Sequence, residues 1–215
     1  VGHAGAGKTS LVEAILKQVG VIGHLGLVEN GDTTCDFAPE EKQRGHSLFN
    51  AVVHCDYEGR RINLIDTPGS PDFVGHALAA LNAVETVAMV INASAGIEQT
   101  TRRMMDRAKQ NKLCRMIIVN KTDAEHTDLT GLIEQIREQF GRECLPINLP
   151  AGNGSAIIDC FNNAEGDSDL GPVADAHTHI IEQVVEVDDS LMEKYLEQGE
   201  VKPEQLHEPF GKALR

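Results

Sequence analysis

Lys8 is the first residue whose neighbours give it a chemistry. It stands in Val1-Gly2-His3-Ala4-Gly5-Ala6-Gly7-Lys8-Thr9-Ser10. There Gly2, Gly7, Lys8 and Thr9 fill every fixed position of G-x-x-x-x-G-K-[ST]. Glycines at this spacing let successive backbone N–H groups turn inward around an anion. The lysine can reach outer phosphates as a point charge, and the next hydroxyl can ligate Mg²⁺. The spacing predicts a phosphate loop in which His3, Ala4, Gly5, Ala6, Gly7, Lys8, Thr9 and Ser10 meet a nucleotide. The plain alternative is a glycine-rich turn that happens to carry a lysine. Against it stands the helical stripe Leu11, Val12, Ile15, Leu16 and Val19, which would aim a positive helix end at the same phosphates.

Two further clusters carry chemistry. Asp66-Thr67-Pro68-Gly69 closes the apolar run Ile62-Asn63-Leu64-Ile65. A carboxylate at the end of a buried strand can hold Mg²⁺ through water beside the phosphates. Gly69 can present its N–H to a terminal phosphate. Asn120-Lys121-Thr122-Asp123 ends a second apolar run. The Asp123 carboxylate can accept from both N1–H and the 2-amino group of guanine, a donor pair that adenine lacks, so the wrong base is rejected. Asn120 can take the purine's other edge, and the Lys121 stem can lie against the ring. D-x-x-G and N-K-x-D each arise easily by chance. In this order behind a phosphate loop they specify GTP and GDP as ligands.

The elements that must position these groups alternate. After the first helix, residues 20–47 are polar and turn-rich, and a loop of that length is functional or mobile. Runs 48–55 and 61–66, separated by Asp56-Tyr57-Glu58-Gly59-Arg60, read as a β-hairpin. Residues 71–84 read as a helix, 86–93 as a buried strand, 97–111 as a helix, and 113–119 as another buried strand. The basic face of the 97–111 helix, with Arg102, Arg103, Arg107 and Lys109, reads as solvated. Strands alternating with helices predict an α/β fold, a mostly parallel sheet with helices on both faces. Ligand groups then collect at the carboxyl ends of the strands, where Lys8, Asp66 and Asn120 fall. A phosphate loop ordinarily follows a strand, and only Val1 precedes this one, so the first strand is expected to be missing.

Bulk properties set limits. The chain has 215 residues, enough for one domain with an insertion, and a net charge of −14. Residues 1–160 carry 15 basic and 20 acidic side chains; residues 161–215 carry 4 and 13. No broad basic patch for nucleic acid is available on so acidic a chain. Cys35, Cys55, Cys114, Cys144 and Cys160 are odd in number and lack C-x-x-C spacing, which favours reduced thiols. His177-Thr178-His179 points to different faces of a helix with no further ligands beside it, so no metal other than Mg²⁺ is expected. No run suits a membrane helix.

The segments "GHAGAGKTSLVEAIL", "APEEKQRGHSL", "INLIDTPGSPDFVG", "NKTD" and "DDSLMEKYLEQGE" resemble, in order, the GTPase domain of translational GTPases, most closely elongation factor G and its paralogues. The nucleotide motifs are shared by many GTPases, whereas "EKQRG" and "LMEKYLE" are narrower. The resemblance implies the P-loop GTPase fold, with a GTP-binding core over 1–144 and a small α+β insertion over 145–215. That insertion is expected to hold a strand pair near 145–149 and 156–161, then acidic helices that suit ribosomal proteins better than RNA. In the family a Ser-Ala loop that completes the guanine site follows the insertion, so the resemblance leads one to expect it beyond Arg215. The resemblance makes 41–47 the end of the first switch, with Ser47 in place of the threonine that ligates Mg²⁺ beside Thr9 and Asp66. Residues 66–69 start the second switch. Gly5 stands where relatives often carry aspartate.

The implied activity is GTP hydrolysis, with Lys8 and Gly69 at the phosphates, driving a conformational switch on the ribosome in translocation or recycling. A cytoplasmic monomer with no membrane partner is expected. Most of the family has a water-positioning histidine after D-T-P-G. Here the residue is Ser70, shorter and neutral, which leaves open a GTP switch with little hydrolysis. His76 lies nearby on the following helix and receives no role. A ribosome-protection factor of the same family is a further alternative.

Overall fold

The computed structural model describes all residues except 126, 199, 200, 202, 214 and 215, and the side chains of 198, 203, 204 and 207 are also left aside. It divides into two compact units, Val1–Lys121 and Thr122–Arg215. The end of the "DDSLMEKYLEQGE" segment lies outside the described residues.

In the first unit, helix α1 (Lys8–Gln18) opens directly from the glycine loop. Its buried positions are Lys8, Thr9, Glu13 and Leu16. The predicted stripe is therefore only partly the inner face: Leu11, Val12, Ile15 and Val19 are not fully buried, and a carboxylate takes the central position. The polar stretch that follows carries a short 3₁₀ turn (Val28–Asn30) and helix α2 (Pro39–Arg44). Pro39 at the first helical position suits α2, because its missing N–H was unpaired there anyway.

Strands β1 (Ala51–Tyr57) and β2 (Arg60–Asp66) form the expected hairpin, paired from Ala51↔Asp66 to Tyr57↔Arg60. Its turn is shorter than the sequence suggested. Glu58 and Gly59 have φ of 49° and 75°, the mirror-image two-residue turn that matches strand twist, so pairing runs to the tip. The stretch after Ser70 is less helical than predicted: a 3₁₀ turn (Pro71–Phe73), then α3 (Val74–Ala80). Its end tightens, with Asn82 N–H donating to Ala79 O and Ala83 N–H to Ala80 O.

Strand β3 (Thr86–Asn92) pairs in parallel with β4 (Cys114–Asn120), connected through α4 (Gln99–Gln110). Val87, Met89, Val90 and Ile91 of β3 are buried. β4, predicted to be buried, is half-buried along most of its length, because only β3 pairs with it among the described strands. Met104, Met105 and Ala108 bury the inner face of α4, while Arg102, Arg103, Arg107 and Lys109 are exposed. Val1 adds one parallel step beside β3: its nitrogen donates to Ala88 O at 3.0 Å, and its carbonyl accepts from Val90 N–H at 2.8 Å. The register Asn92↔Asn120 puts the ends of β3 and β4 level.

The second unit starts with α5 (Leu129–Phe140), capped by the Asp128 carboxylate accepting from Gly131 N–H at 2.9 Å. The anticipated strand pair is present as β5 (Asn148–Ala151) antiparallel to β6 (Ala156–Asp159). A small ladder of β7 (Asp167–Ser168) and β8 (Gly171–Pro172) leads into α6 (Val173–Val185), α7 (Asp189–Gln198) and α8 (Pro203–Ala213). Leu149, Cys160, Val173, Ile180, Ile181, Val184, Val185, Leu191 and Leu206 form its core. His177 hydrogen-bonds Cys160 O at 2.8 Å and His179 is exposed, so the two rings do not converge. No described helix is long and apolar enough to cross a membrane.

Candidate functional site

The glycine loop, the polar stretch after α1 and the end of β2 meet at Thr9. The Thr9 hydroxyl donates to Asp66 Oδ2 at 2.6 Å, and its oxygen lies 3.2 Å from Ser47 Oγ. The Ser47 hydroxyl donates to Asp36 Oδ1 at 2.7 Å. Each hydroxyl has one proton, and both protons are committed outward to carboxylates. The two oxygens therefore turn lone pairs toward each other. That arrangement suits a cation between them.

No cluster of three or more His, Cys, Asp or Glu that could hold a metal occurs among the described residues. The donors here are two hydroxyls and two carboxylates, hard oxygens that suit Mg²⁺. Asp36 and Asp66 are 2% and 4% exposed. Burial pushes the Asp66 carboxyl above its ordinary range, opposed by the Thr9 hydrogen bond and the Lys8 charge. Burial also lowers Lys8, against the pull of Asp66. Cys35 sits among these acids. Burial first, then the charges of Asp66, Glu13, Asp36 and Glu41, push its thiol up to about 12.

Lys8 Nζ donates to His3 O at 2.9 Å and so folds back along its own loop. Gly69 lies directly against it: a Cβ there would meet Lys8 Nζ and would sit 2.7 Å from Ala4 N. Only glycine allows this approach. Asp66 Oδ1 accepts from Thr67 N–H at 3.0 Å, and Thr67, Pro68 and Gly69 are buried. The His3 ring accepts Asn92 N–H on Nε2 at 3.2 Å, which places the proton on Nδ1, 3.0 Å from Glu98 Oε1. Ala4, Gly5 and Ser10 are exposed. Gly7 is left-handed, with φ 89°, and a Cβ on it would meet Asn120 Nδ2. Asn120 Nδ2 donates to Ala6 O at 2.9 Å, tying the second strand-end motif to the phosphate loop. Lys121 also has positive φ, at 60°.

A phosphate loop, an acidic strand end and an Asn-Lys-x-Asp strand end converge here in sequence order, and comparison with known proteins says which family combines them. The family model described as the elongation factor Tu GTP binding domain matches residues 1–210. The chain belongs to that family. An elongation factor G-like protein of Mycobacterium tuberculosis is 33% identical over 209 residues, covering 91% of this chain and 29% of the relative. Elongation factor G 2 of Saccharophagus degradans is 32% identical over 234 residues, 99% of this chain and 33% of its own. Mitochondrial ribosome-releasing factor 2 of Culex quinquefasciatus is 31% identical over 197 residues, 89% of this chain and 26% of its own. A crystal structure of a Thermus thermophilus protein superposes with a TM-score of 0.88 at 36% identity, covering 100% of this chain and 34% of that one. The chain thus spans about a third or less of the length of these relatives.

Within the GTP-binding domain, Lys8, Thr9, Ser47, Asp66, Gly69 and Asn120 are all brought to the glycine loop. Ser70 is half-buried, and its hydroxyl makes no capping bond although it starts the 3₁₀ turn. His76 is exposed, with its ring edge-on to Phe49 at 5.9 Å. Asp123 belongs to the second unit and is exposed there. Three residues escaped the sequence reading: Glu13, Asp36 and Glu41. Glu13 is the carboxylate inside the α1 stripe. Glu41 stands three residues after Ala38, the spacing at which a glutamate reaches back to a helix start.

Proposed function

We propose that this domain binds GTP with Mg²⁺ and hydrolyses it to GDP and phosphate, as the nucleotide switch of an elongation factor G-like factor acting on the ribosome. The supporting observation is the 3.2 Å gap between the Thr9 and Ser47 oxygens, both protons being turned away to Asp66 and Asp36. Thr9, Ser47 and, through water, Asp66 would hold Mg²⁺, which supplies neutralisation of charge on the phosphate oxygens. Lys8, now donating to its own loop, carries protons that phosphate oxygens accept more strongly than a neutral carbonyl does. Backbone N–H groups of the glycine loop and of Gly69 orient the phosphates for in-line attack by water. Asn120, Lys121 and Asp123 select guanine. Loss of the outer phosphate removes the anion that residues 36–47 and 66–75 converge on, and changed contacts with the ribosome follow. Translocation and recycling both fit the names of the relatives, elongation factor G 2 and ribosome-releasing factor 2.

Ser70 favours a second reading, a GTP switch that hydrolyses little, because no imidazole follows Gly69. Single-turnover GTP hydrolysis with and without ribosomes separates the two. On the first reading the unaltered protein turns over on ribosomes. On the second it stays slow, and Ser70→His speeds it.

A further inference from the structure

The tip of the β5–β6 hairpin packs against the base-reading motif. A Cβ built on Gly154 would stand 3.9 Å from both Asp123 Cα and Thr122 O, an ordinary van der Waals distance. The backbone of Gly154 therefore lies alongside the peptide that carries the Asp123 carboxylate. Gly154 is half-buried, whereas its neighbours Asn153 and Ser155 are exposed. Gly152, Asn153 and Gly154 have φ of 62°, 56° and 78°, three left-handed residues in succession. Glycine and asparagine are the residues that tolerate this conformation. What holds the tip is Asp169, in the turn between β7 and β8. Its Oδ1 accepts from Asn153 N–H at 3.1 Å and its Oδ2 from Gly154 N–H at 2.8 Å. Its own N–H donates to Pro150 O at 2.8 Å, so it is tied to β5 as well. Successive N–H groups aimed at one anion form a small concave nest, and here a carboxylate of the same compact unit fills it.

We propose that Asp169 is a positioning residue for guanine recognition: by pinning the 152–155 turn it braces the backbone of Thr122 and Asp123, and so sets where the Asp123 carboxylate points. This rests on the reading of Asp123 as the acceptor for guanine. A carboxylate that accepts from N1–H and the 2-amino group together needs a fixed direction, because hydrogen bonds weaken steeply as their angle closes. Asp123 is exposed, so its backbone is the part that protein packing can hold. Two acceptor oxygens on Asp169 serve two donors at the tip, and an asparagine there would offer only one. The base is common to GDP and GTP, so the brace acts on both alike. The segment after α5 thereby takes part in the choice of base and not in the reading of the outer phosphate.

The test uses the intact protein and two probes, GDP and inosine diphosphate, which lacks the 2-amino group. The readout is the preference for GDP over inosine diphosphate, measured by competition. Asp123→Ala should remove most of that preference. Asp169→Ala should lower it by about threefold, the low end of what one hydrogen bond contributes, and Asp169→Asn, which keeps one acceptor oxygen, by less. In the Asp123→Ala background Asp169→Ala should leave the remaining preference unchanged. An unchanged preference in Asp169→Ala, or equal losses for GDP and inosine diphosphate, would overturn the proposal. If Asp169→Ala does not fold, Asp169→Asn and hydrogen exchange in the GDP complex decide: the Asn153 and Gly154 amides should be protected in the unaltered protein and exchange faster in Asp169→Asn. Exchange in the unaltered protein as fast as in an open loop refutes the brace. A preference for GDP that survives Asp123→Ala is a different failure, which sinks the guanine reading of Asp123 and this proposal with it.

Discussion

Removing the Ser47 hydroxyl probes the site most directly. In Ser47→Ala the Asp36 Oδ1 oxygen loses its 2.7 Å donor, while Oδ2 keeps the Thr33 hydroxyl at 3.0 Å. Asp36 is 2% exposed, so water does not readily replace the lost partner. A buried acceptor left short of a donor costs about 1–3 kcal/mol, and urea denaturation should report a loss of that size. That loss is shared by the free and the nucleotide-bound folded protein, so it lowers the urea midpoint and largely cancels in the affinities. The oxygen facing Thr9 is lost as well, and its effect falls on Mg²⁺ alone. Loss of a group that supports a bound metal typically weakens metal affinity about 10–100-fold, and a direct ligand should reach the upper end. A fluorescent GTP analogue titrated in Mg²⁺ and in EDTA separates the two effects, because only the ratio of the affinities reports the metal. The ratio should collapse in Ser47→Ala and survive in Ser47→Thr, which keeps the hydroxyl. An unchanged ratio in Ser47→Ala would show that Ser47 is no ligand and that the 3.2 Å gap has another cause.

Gly69→Ala brings a Cβ onto Lys8 Nζ and within 2.7 Å of the Ala4 nitrogen; the second switch should be forced off the glycine loop, and GTP-analogue affinity should fall while GDP affinity holds, as measured by competition. Asp123→Asn should shift base preference away from guanine toward a purine with an acceptor at position 2; equal binding of adenine and guanine nucleotides by the unaltered protein would remove the role given to residues 120–123. Burial raises the folded Asp66 carboxyl above its unfolded value of 3.8, so its contribution to stability is full below that value and lost as pH rises through the folded value. Asp66→Asn cannot ionise and should therefore gain stability relative to the unaltered, nucleotide-free protein as pH rises from 3.8 through the folded value. A pH-independent offset between their urea midpoints would contradict this.

The parts of the fold legible from sequence were those where pattern and chemistry agree. G-x-x-x-x-G-K-T located both the loop and the start of α1 at Lys8. Alternating apolar runs located β1–β4 within a few residues, although β1–β2 and β3–β4 pair as two separate ladders and not as one mostly parallel sheet; the Thr9–Asp66 and Asn120–Ala6 hydrogen bonds bring the ends of β2 and β4 to the glycine loop. Burial was harder to read. The composition of β4 resembles that of β3, but a strand with a single paired neighbour stays half-open. The acids were harder still. Glu13, Asp36 and Glu41 spend their oxygens on backbone N–H groups and hydroxyls, and neither leaves a complementary charge to find in the sequence. Ser47 came from family resemblance, since a lone serine in a polar stretch carries no signal of its own.

These acids divide into two kinds, and the division orders the site. Glu13 and Glu41 are satisfied by peptide N–H groups, bonds that exist whenever the segment is folded. Their burial is supported by the chain itself. Asp36 and Asp66 are satisfied by the Thr33, Ser47 and Thr9 hydroxyls and one peptide N–H, and Lys8 is the buried cation whose charge acts on Asp66. Burial pushes Asp66 up and Lys8 down, so each is less easily charged than in water, and their mutual attraction only partly opposes this. A cation between Thr9 and Ser47 would favour the ionised form of Asp66, and an anion at Lys8 would favour the ammonium. The two ligands that relieve these groups are a divalent metal and a phosphate, and each makes the other's site more favourable. The carboxylates that fix the frame are thus independent of ligand, while those that face the loop are left in need of one.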